Sequence, residues 1–505
     1  MNISQLLERN ARKYYDKEAF VSGSLRQTYG DVDRIVNTLA SELRNLGIQR
    51  DDRVLLYCPN TMDFVYSYFA ILRIDAIVVP VNAKFTSREL AYVIEHSGAK
   101  ACIVHEQLMG HAEPLLERHP IVWFTTGETN EQVASIYPTV ESAYCEIIQS
   151  SRENDELTTI LYTSGTTGDP KGVMFSSRNI LSVATMMCIE TEMNEPSKVL
   201  HLMPLTHSAP LHLFFIAGMY VGATHILAPT FTPDLLLDLI EEESVTHFFG
   251  APVAYLLTAK HEQIQSRDLS SIQRFVYGGA PLSTTEVKFV QQAFQTDRFM
   301  CVYGLTEAGP SGTFLAPNEH ERKAGSIGKR AALNCEIDIV NDNGDHVPRG
   351  EVGEIVLRGE GTMLGLYKDE AKTLEVLKDD LLFTGDLAQE DEDGYIWVVD
   401  RKKDMIISGG VNVYPKEIEH VLQDHPAIIE AAVVGVPHPE WGETIKAFLV
   451  TTDGQLPNIN DYLSTQLASY KIPKLYEALE ELPRNASGKL LKQVLKQERL
   501  NQDEY

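Results

Sequence analysis

Positive charge is in short supply in this sequence: 44 Lys and Arg stand against 71 Asp and Glu, for a formal net charge of −27. Such a chain opposes the phosphate-neutralising contacts that dominate nucleic-acid binding and offers no general attraction to anionic lipid. Any anion it handles must be met by local basic or backbone sites. Cysteine is sparse as well. Cys58, Cys102, Cys145, Cys188, Cys301 and Cys335 are scattered, with no C-x-x-C pair, which excludes a disulfide scaffold and suits a reducing cytoplasm. The opening residues lack a basic segment followed by an apolar run, so no secretory signal is expected. The most apolar stretch, 211–229, is interrupted by His212, Gly218, Gly222, Thr224 and His225, which fits a buried helix running into a strand better than a membrane span. Low-complexity tracts and fixed-period repeats are missing too. A soluble cytoplasmic protein without nucleic-acid partners or an integral membrane segment is expected. Peripheral membrane contact and the choice between monomer and homodimer stay open.

What is present is ordinary globular composition, 44% hydrophobic and 23% charged. At 505 residues the chain exceeds the roughly 250–300 that one hydrophobic core supports, so two or more domains are expected. Short β-rich runs (Val54–Tyr57, Ile77–Val81, Ala101–Val104) alternate with amphipathic stretches (Asp63–Arg73, Ser87–His96), and the pattern recurs from Ala223 to Phe249. That alternation predicts an α/β body of mixed sheets covered by helices. Beyond Gly325 shorter strand runs, such as Cys335–Val340, Gly353–Leu357 and Gly394–Val399, predict a small β-rich subdomain. The charged run Asp400–Asp404 then leads into a smaller α+β tail, so the main boundary is placed between residues 1–402 and 403–505.

The strand-like Leu157–Tyr162 runs into Thr163, Ser164, Gly165, Thr166, Thr167, Gly168, Asp169, Pro170 and Lys171. Glycines let backbone N–H groups approach an anion, hydroxyls add donors and the lysine adds a point charge, so the stretch has the makings of a phosphate cradle. A plain Gly/Thr-rich surface turn is the bland alternative. The Walker spacing G-x-x-x-x-G-K-[ST] is absent, and the residues after Lys171 look like a strand where that fold has a helix N-terminus. Gly359, Gly361 and Gly365 miss the dinucleotide spacing by one position, and His201, His207 and His212 fit no zinc pattern.

Five motifs in order carry a resemblance: this loop, Tyr303-Gly304-Leu305-Thr306-Glu307, Thr384-Gly385-Asp386, Asp400-Arg401 with Gly409-Gly410, and Pro483-Arg484-Asn485-Ala486-Ser487-Gly488-Lys489. Together they resemble the adenylate-forming superfamily of acyl-CoA synthetases, peptide-synthetase adenylation domains and beetle luciferases, over essentially the whole chain. The pattern looks most like bacterial fatty-acid CoA ligases. The resemblance implies that a carboxylate attacks the α-phosphate of ATP, expels pyrophosphate, and passes its acyl group from the adenylate to a thiol. It implies that Thr163 to Lys171 hold the departing phosphates and that Glu307 coordinates Mg²⁺. Tyr303, with Gly304 beside it, would stack on adenine, Thr306 would touch the α-phosphate, and Asp386 and Arg401 would bind the ribose. Lys489 would bridge the carboxylate and the α-phosphate. A mobile C-terminal domain is implied, with Lys403 at its hinge and Gly409 and Gly410 lining a pantetheine tunnel.

Two departures stand out. Cys301 replaces an amide residue that commonly reads adenine, which shifts that contact to the backbone of Gly278, Gly279 and Ala280, and Thr206 replaces the aromatic common before His207. The acyl pocket is assigned to His207, Ser208, Tyr277, Gly279 and Gly309 and their neighbours. These walls carry no Arg or Lys for a second carboxylate, which favours an apolar monocarboxylic acid. A CoA ligase for a medium- or long-chain fatty acid is therefore expected, with ATP and CoA as co-substrates. Free CoA is preferred because no carrier domain is appended. The alternatives are an aromatic-acid CoA ligase, a stand-alone enzyme loading a carrier protein, a luciferase-like oxidation, and a nucleotide-binding protein without turnover.

Overall fold

The computed structural model describes residues 1–129, 133–137, 147–163, 170–408, 411–438, 441–484 and 490–497. They fall into two compact units. The first comprises Met1–Thr163, Pro170–Ile337 and Leu357–Leu382; the second comprises Asp338–Val356 and the described residues from Phe383 on.

Two sheets build the first unit. In the eight-stranded one the order is Gly365–Leu366, Lys171–Ser176, Leu157–Thr163, Ile77–Pro80, Arg53–Tyr57, Ala101–Val104, Val122–Thr125 and Ala134–Ser135. Arg53–Tyr57 pairs parallel with both neighbours. These inner strands are apolar almost throughout, as strands of a parallel sheet covered on both faces must be. The nine-stranded sheet runs Arg330–Ala331, Thr313–Leu315, Phe299–Tyr303, Arg274–Gly278, His247–Gly250, Lys198–His201, Thr224–Leu227, Glu18–Ser22 and Leu25–Thr28. Its strands from Phe299–Tyr303 to Glu18–Ser22 pair in parallel. The covering helices stop and start where their sequences dictate. Thr28, Thr86, Ser176 and Ser283 each cap the helix that follows them, with a reciprocal bond from the residue three positions on.

The apolar stretch foreseen as a helix running into a strand is a π-helical segment, Ala209–Ile216, continued by Ala217–Val221 and then the strand Thr224–Leu227. Among the described residues no helix is long and apolar enough to cross a membrane.

The strand Leu381–Glu390, which belongs to the second unit from Phe383 on, pairs antiparallel with Ile396–Arg401, bringing Asp386 opposite Arg401. Farther on, Ile428–His438 and Gly442–Thr451 form a long antiparallel pair, joined by Ile406–Ser408 and by the parallel strand Leu475–Ala478. Side chains alternate across this pair with period two. Ala431 and Val433 join Ile418, Leu422 and Leu463 on one face, while Ala432 and Val434 join Leu482 and Leu495 on the other. A large α/β body with an α+β C-terminal portion is thus the observed class.

Candidate functional site

Open α/β sheets bind ligands beyond the carboxyl ends of their strands. In the first unit three groups of candidates stand there on one sheet. Gly278 ends Arg274–Gly278 and Gly279 and Ala280 follow it; Gly304, Thr306 and Glu307 follow Phe299–Tyr303, which ends in Tyr303; His207 and Ser208 lie just beyond Lys198–His201. The strand Leu157–Thr163 of the other sheet likewise ends on Thr163, which faces Lys171 across the antiparallel pair. Ser164, Gly165, Thr166, Thr167 and Gly168 lie outside the described residues.

The segment bearing His207 is pinned from a distant strand end. Asn60, 3% exposed, donates through Nδ2 to the carbonyls of His201 and Met203 and accepts the Leu205 N–H at 2.9 Å. Asn82 Nδ2 lies 3.4 Å from His207 Nε2. Withdrawal from water, reinforced by Lys84, lowers the pKa of His207, favouring the neutral imidazole. Ser208 is buried, and its Oγ lies 3.0 Å from Thr306 Oγ1. The residue assigned to the acid and the residue assigned to the α-phosphate therefore touch.

Thr306–Ala308 is a single 3₁₀ turn closed by Gly309, whose φ of 80° suits glycine. A Cβ at Gly309 would sit 2.3 Å from the Gly361 carbonyl oxygen. The backbone carbonyl of Glu307 accepts the Met363 N–H at 2.8 Å, which ties the turn to the segment after Gly361. The Glu307 carboxylate is half-buried. Among the described residues no group of three His, Cys, Asp or Glu side chains could hold a metal. Glu307 would offer one carboxylate to Mg²⁺, with substrate phosphates and water supplying the remaining ligands.

Tyr277 is fully buried, and its hydroxyl meets His320 Nε2 at 2.9 Å. Strand alternation sends its ring to the face shared with Phe275 and Cys301, so this side chain backs the site from the interior of the layer. Burial pushes the Cys301 thiol up to about 12 and keeps it protonated. Gly279 and Ala280 are exposed, leaving their backbone open to a ligand.

The second unit holds the other pair. Asp386 is 6% exposed, and its Oδ1 lies 2.8 Å from Arg401 Nε. The preceding turn is tied down: Gly385, at φ 72°, donates to Glu354 Oε1 at 2.9 Å, and Lys402 Nζ reaches Glu354 Oε2 at 3.0 Å. Lys403 is exposed in the turn after Arg401. Gly409, Gly410 and Lys489 lie outside the described residues.

The profile of AMP-binding enzymes matches residues 7–367, and that of the AMP-binding enzyme C-terminal domain matches 417–489. The chain belongs to the AMP-binding enzyme family. It is similar to a feruloyl-CoA synthase of Amycolatopsis sp, 34% identical over 488 residues that cover 96% of each chain. It is also similar to the long-chain-fatty-acid–CoA ligase FadD13 of Mycobacterium tuberculosis, 31% identical with 98% of each chain covered. Among solved structures, ATP-bound MatB from Rhodopseudomonas palustris superposes with a TM-score of 0.87 at 28% identity, over 98% of each chain. This AMP-binding protein is an adenylate-forming acyl- or aryl-CoA ligase, as the ordered motifs led one to expect. The motifs did not disclose Asn60, Asn82 or Glu354. These are polar residues whose partners lie far along the chain, and local sequence carries no signal for them.

Proposed function

We propose that this ligase activates an apolar monocarboxylic acid, with a medium- or long-chain fatty acid as the first reading, and transfers it to CoA. The carrying observation is the contact between Ser208 and Thr306, which joins the acid side to the nucleotide side beyond the strand ends of one sheet. A carboxylate oxygen attacks the α-phosphorus of ATP, the bond to the β-phosphate breaks, and pyrophosphate leaves. The CoA sulfur then attacks the acyl carbonyl, and AMP departs with the electron pair of the acyl–oxygen bond.

In this reading Thr163 and Lys171 flank the loop of Ser164 to Gly168 that steadies pyrophosphate. Glu307 would hold Mg²⁺, whose charge offsets that on the phosphate oxygens. Tyr303 and the backbone from Gly278 to Ala280 take the adenine, Thr306 the α-phosphate, and Asp386 with Arg401 the ribose. Lys489 supplies the charge that meets the carboxylate during adenylation. Residues 403–505 act as the moving part about Lys403, and Gly409 and Gly410 admit the pantetheine arm. Neutral His207 with Ser208, Gly279 and Gly309 lines the acid pocket, and buried Tyr277 supports its wall.

The similarity to a feruloyl-CoA synthase supports an aromatic acid as a second reading. One assay separates them. The purified protein is incubated with ATP, Mg²⁺ and a panel of saturated and arylpropenoic acids, with and without CoA, while pyrophosphate, AMP and acyl-CoA are followed. The fatty-acid reading expects CoA-dependent AMP release that rises with chain length; preference for arylpropenoic acids selects the second. ADP as product overturns adenylation, and pyrophosphate release without CoA-dependent AMP release points to a carrier-protein acceptor.

A further inference from the structure

Helix Pro415–Gln423 does not cap itself. Its N-cap residue, Tyr414, has no side-chain bond to the first turn, in contrast to Thr28, Thr86, Ser176 and Ser283 at their helices. Pro415 has no N–H to satisfy, so the first orphan donor of the helix is the N–H of Lys416. That N–H donates to Asp400 Oδ2 at 2.8 Å, from a residue sixteen positions earlier. The other oxygen, Oδ1, accepts the Arg401 N–H at 2.7 Å.

Asp400 is 4% exposed. A carboxylate so buried is tolerated when its lone pairs are met, and here the helix N-terminus adds a favourable dipole. Burial lowers the pKa of the Lys416 ammonium, and the charges of Asp400, Asp386 and Glu419 oppose that. One residue thus joins the strand carrying Arg401 to the first helix beyond Lys403.

We propose that Asp400 is a positioning residue that clamps helix Pro415–Gln423 to the strand bearing Arg401, and so sets the balance between the adenylating and thioester-forming half-reactions. This rests on the two-step reading above, with its hinge at Lys403. Asp400 precedes the hinge and Lys416 follows it, so turning about Lys403 has to break the bond between them. The clamp favours the arrangement in which it is made and slows departure from it.

The test uses the full chain carrying Asp400→Ala and, as a variant that keeps the shape and one acceptor oxygen, Asp400→Asn. Wild type and variants are compared in acid-dependent pyrophosphate–ATP exchange and in CoA-dependent consumption of preformed acyl-adenylate. The ratio of the two rates is expected to shift by about tenfold or more in Asp400→Ala, the scale of losing a hydrogen bond to a buried charge, and by less in Asp400→Asn. An equal loss in both half-reactions, or no change in either, overturns the proposal. Failure of the wild type to release pyrophosphate at all would instead overturn the two-step reading beneath it.

Discussion

Ser208 Oγ and Thr306 Oγ1 lie 3.0 Å apart although 98 positions separate them in sequence. The hydroxyl at the head of the π-helical segment thereby orients the hydroxyl assigned to the α-phosphate. Thr306→Ala is expected to slow pyrophosphate–ATP exchange by about ten- to a hundredfold, and Ser208→Ala by a few-fold, on the usual scale of hydrogen bonds to neutral and charged partners. Because the two act through one contact, the double variant should lose less than the product of the single losses. Multiplicative losses would refute the coupling.

Asp386 is buried against Arg401. Replacing it with Asn removes a charge-assisted acceptor that ribose hydroxyls would use, and leaves Arg401 short of its counter-ion. The KM for ATP should rise about tenfold or more, with smaller change in the KM for the acid. A matched rise in both would indicate general disruption.

Lys489→Ala is expected to cripple acyl-adenylate formation while a preformed adenylate is still converted to the CoA thioester. Equal loss in the two assays would remove Lys489 from the role assigned to it.

Gly309 and Gly385 both have positive φ, 80° and 72°, but their surroundings differ. A Cβ at Gly385 meets nothing within 4 Å, whereas one at Gly309 collides with the Gly361 carbonyl at 2.3 Å. Gly385→Ala should cost about 1–2 kcal/mol from backbone strain alone. Gly309→Ala should destabilise clearly more, read as a larger fall in the thermal midpoint by calorimetry. Similar midpoints for both would contradict the steric argument.

Several buried histidines make stability sensitive to acid. Burial holds His201 and His212 down to about 3 and His247 to about 4, against an ordinary value of 6.5. Their folded-state pKa values are depressed, so the stability they permit is complete above 6.5 and is lost as pH falls toward the folded values. In that window each lowers stability by about 1.4 kcal/mol per pH unit, because only the unfolded chain takes up the proton. Urea midpoints measured at pH 7.5 and 5.0 should therefore fall with acid, and the fall should be smaller in His247→Gln. An unchanged fall would show that other groups govern the transition.

The α/β frame was legible because its strands are apolar runs and its helices amphipathic, signals that survive in a single sequence. Ser87–Ser97 begins where the amphipathic pattern put it, and Pro233–Glu243 falls within the recurrence from Ala223 to Phe249. In the α+β tail the helix Pro415–Gln423 opens on proline, which fits a first turn whose donor is missing anyway. Tyr277 shows another limit. Period two states which face its ring takes, but not that His320 waits there. Asp400 was visible as part of a motif, yet its partner is a backbone N–H, and backbone groups leave no trace in residue identity. The same holds for Asn60, whose partners are the carbonyls of His201 and Met203 and the N–H of Leu205.

The i→i+5 bonding of Ala209–Ile216, which puts more residues into each turn than an α-helix holds, makes chain length, rather than side-chain identity alone, a means of reshaping the wall beside His207 and Ser208. Removing one residue within it would turn every later side chain of the segment by one residue's angular step about the helix axis. An insertion or deletion here would re-face a whole row of apolar groups at once, a change that no single substitution in Ala209–Ile216 could reproduce.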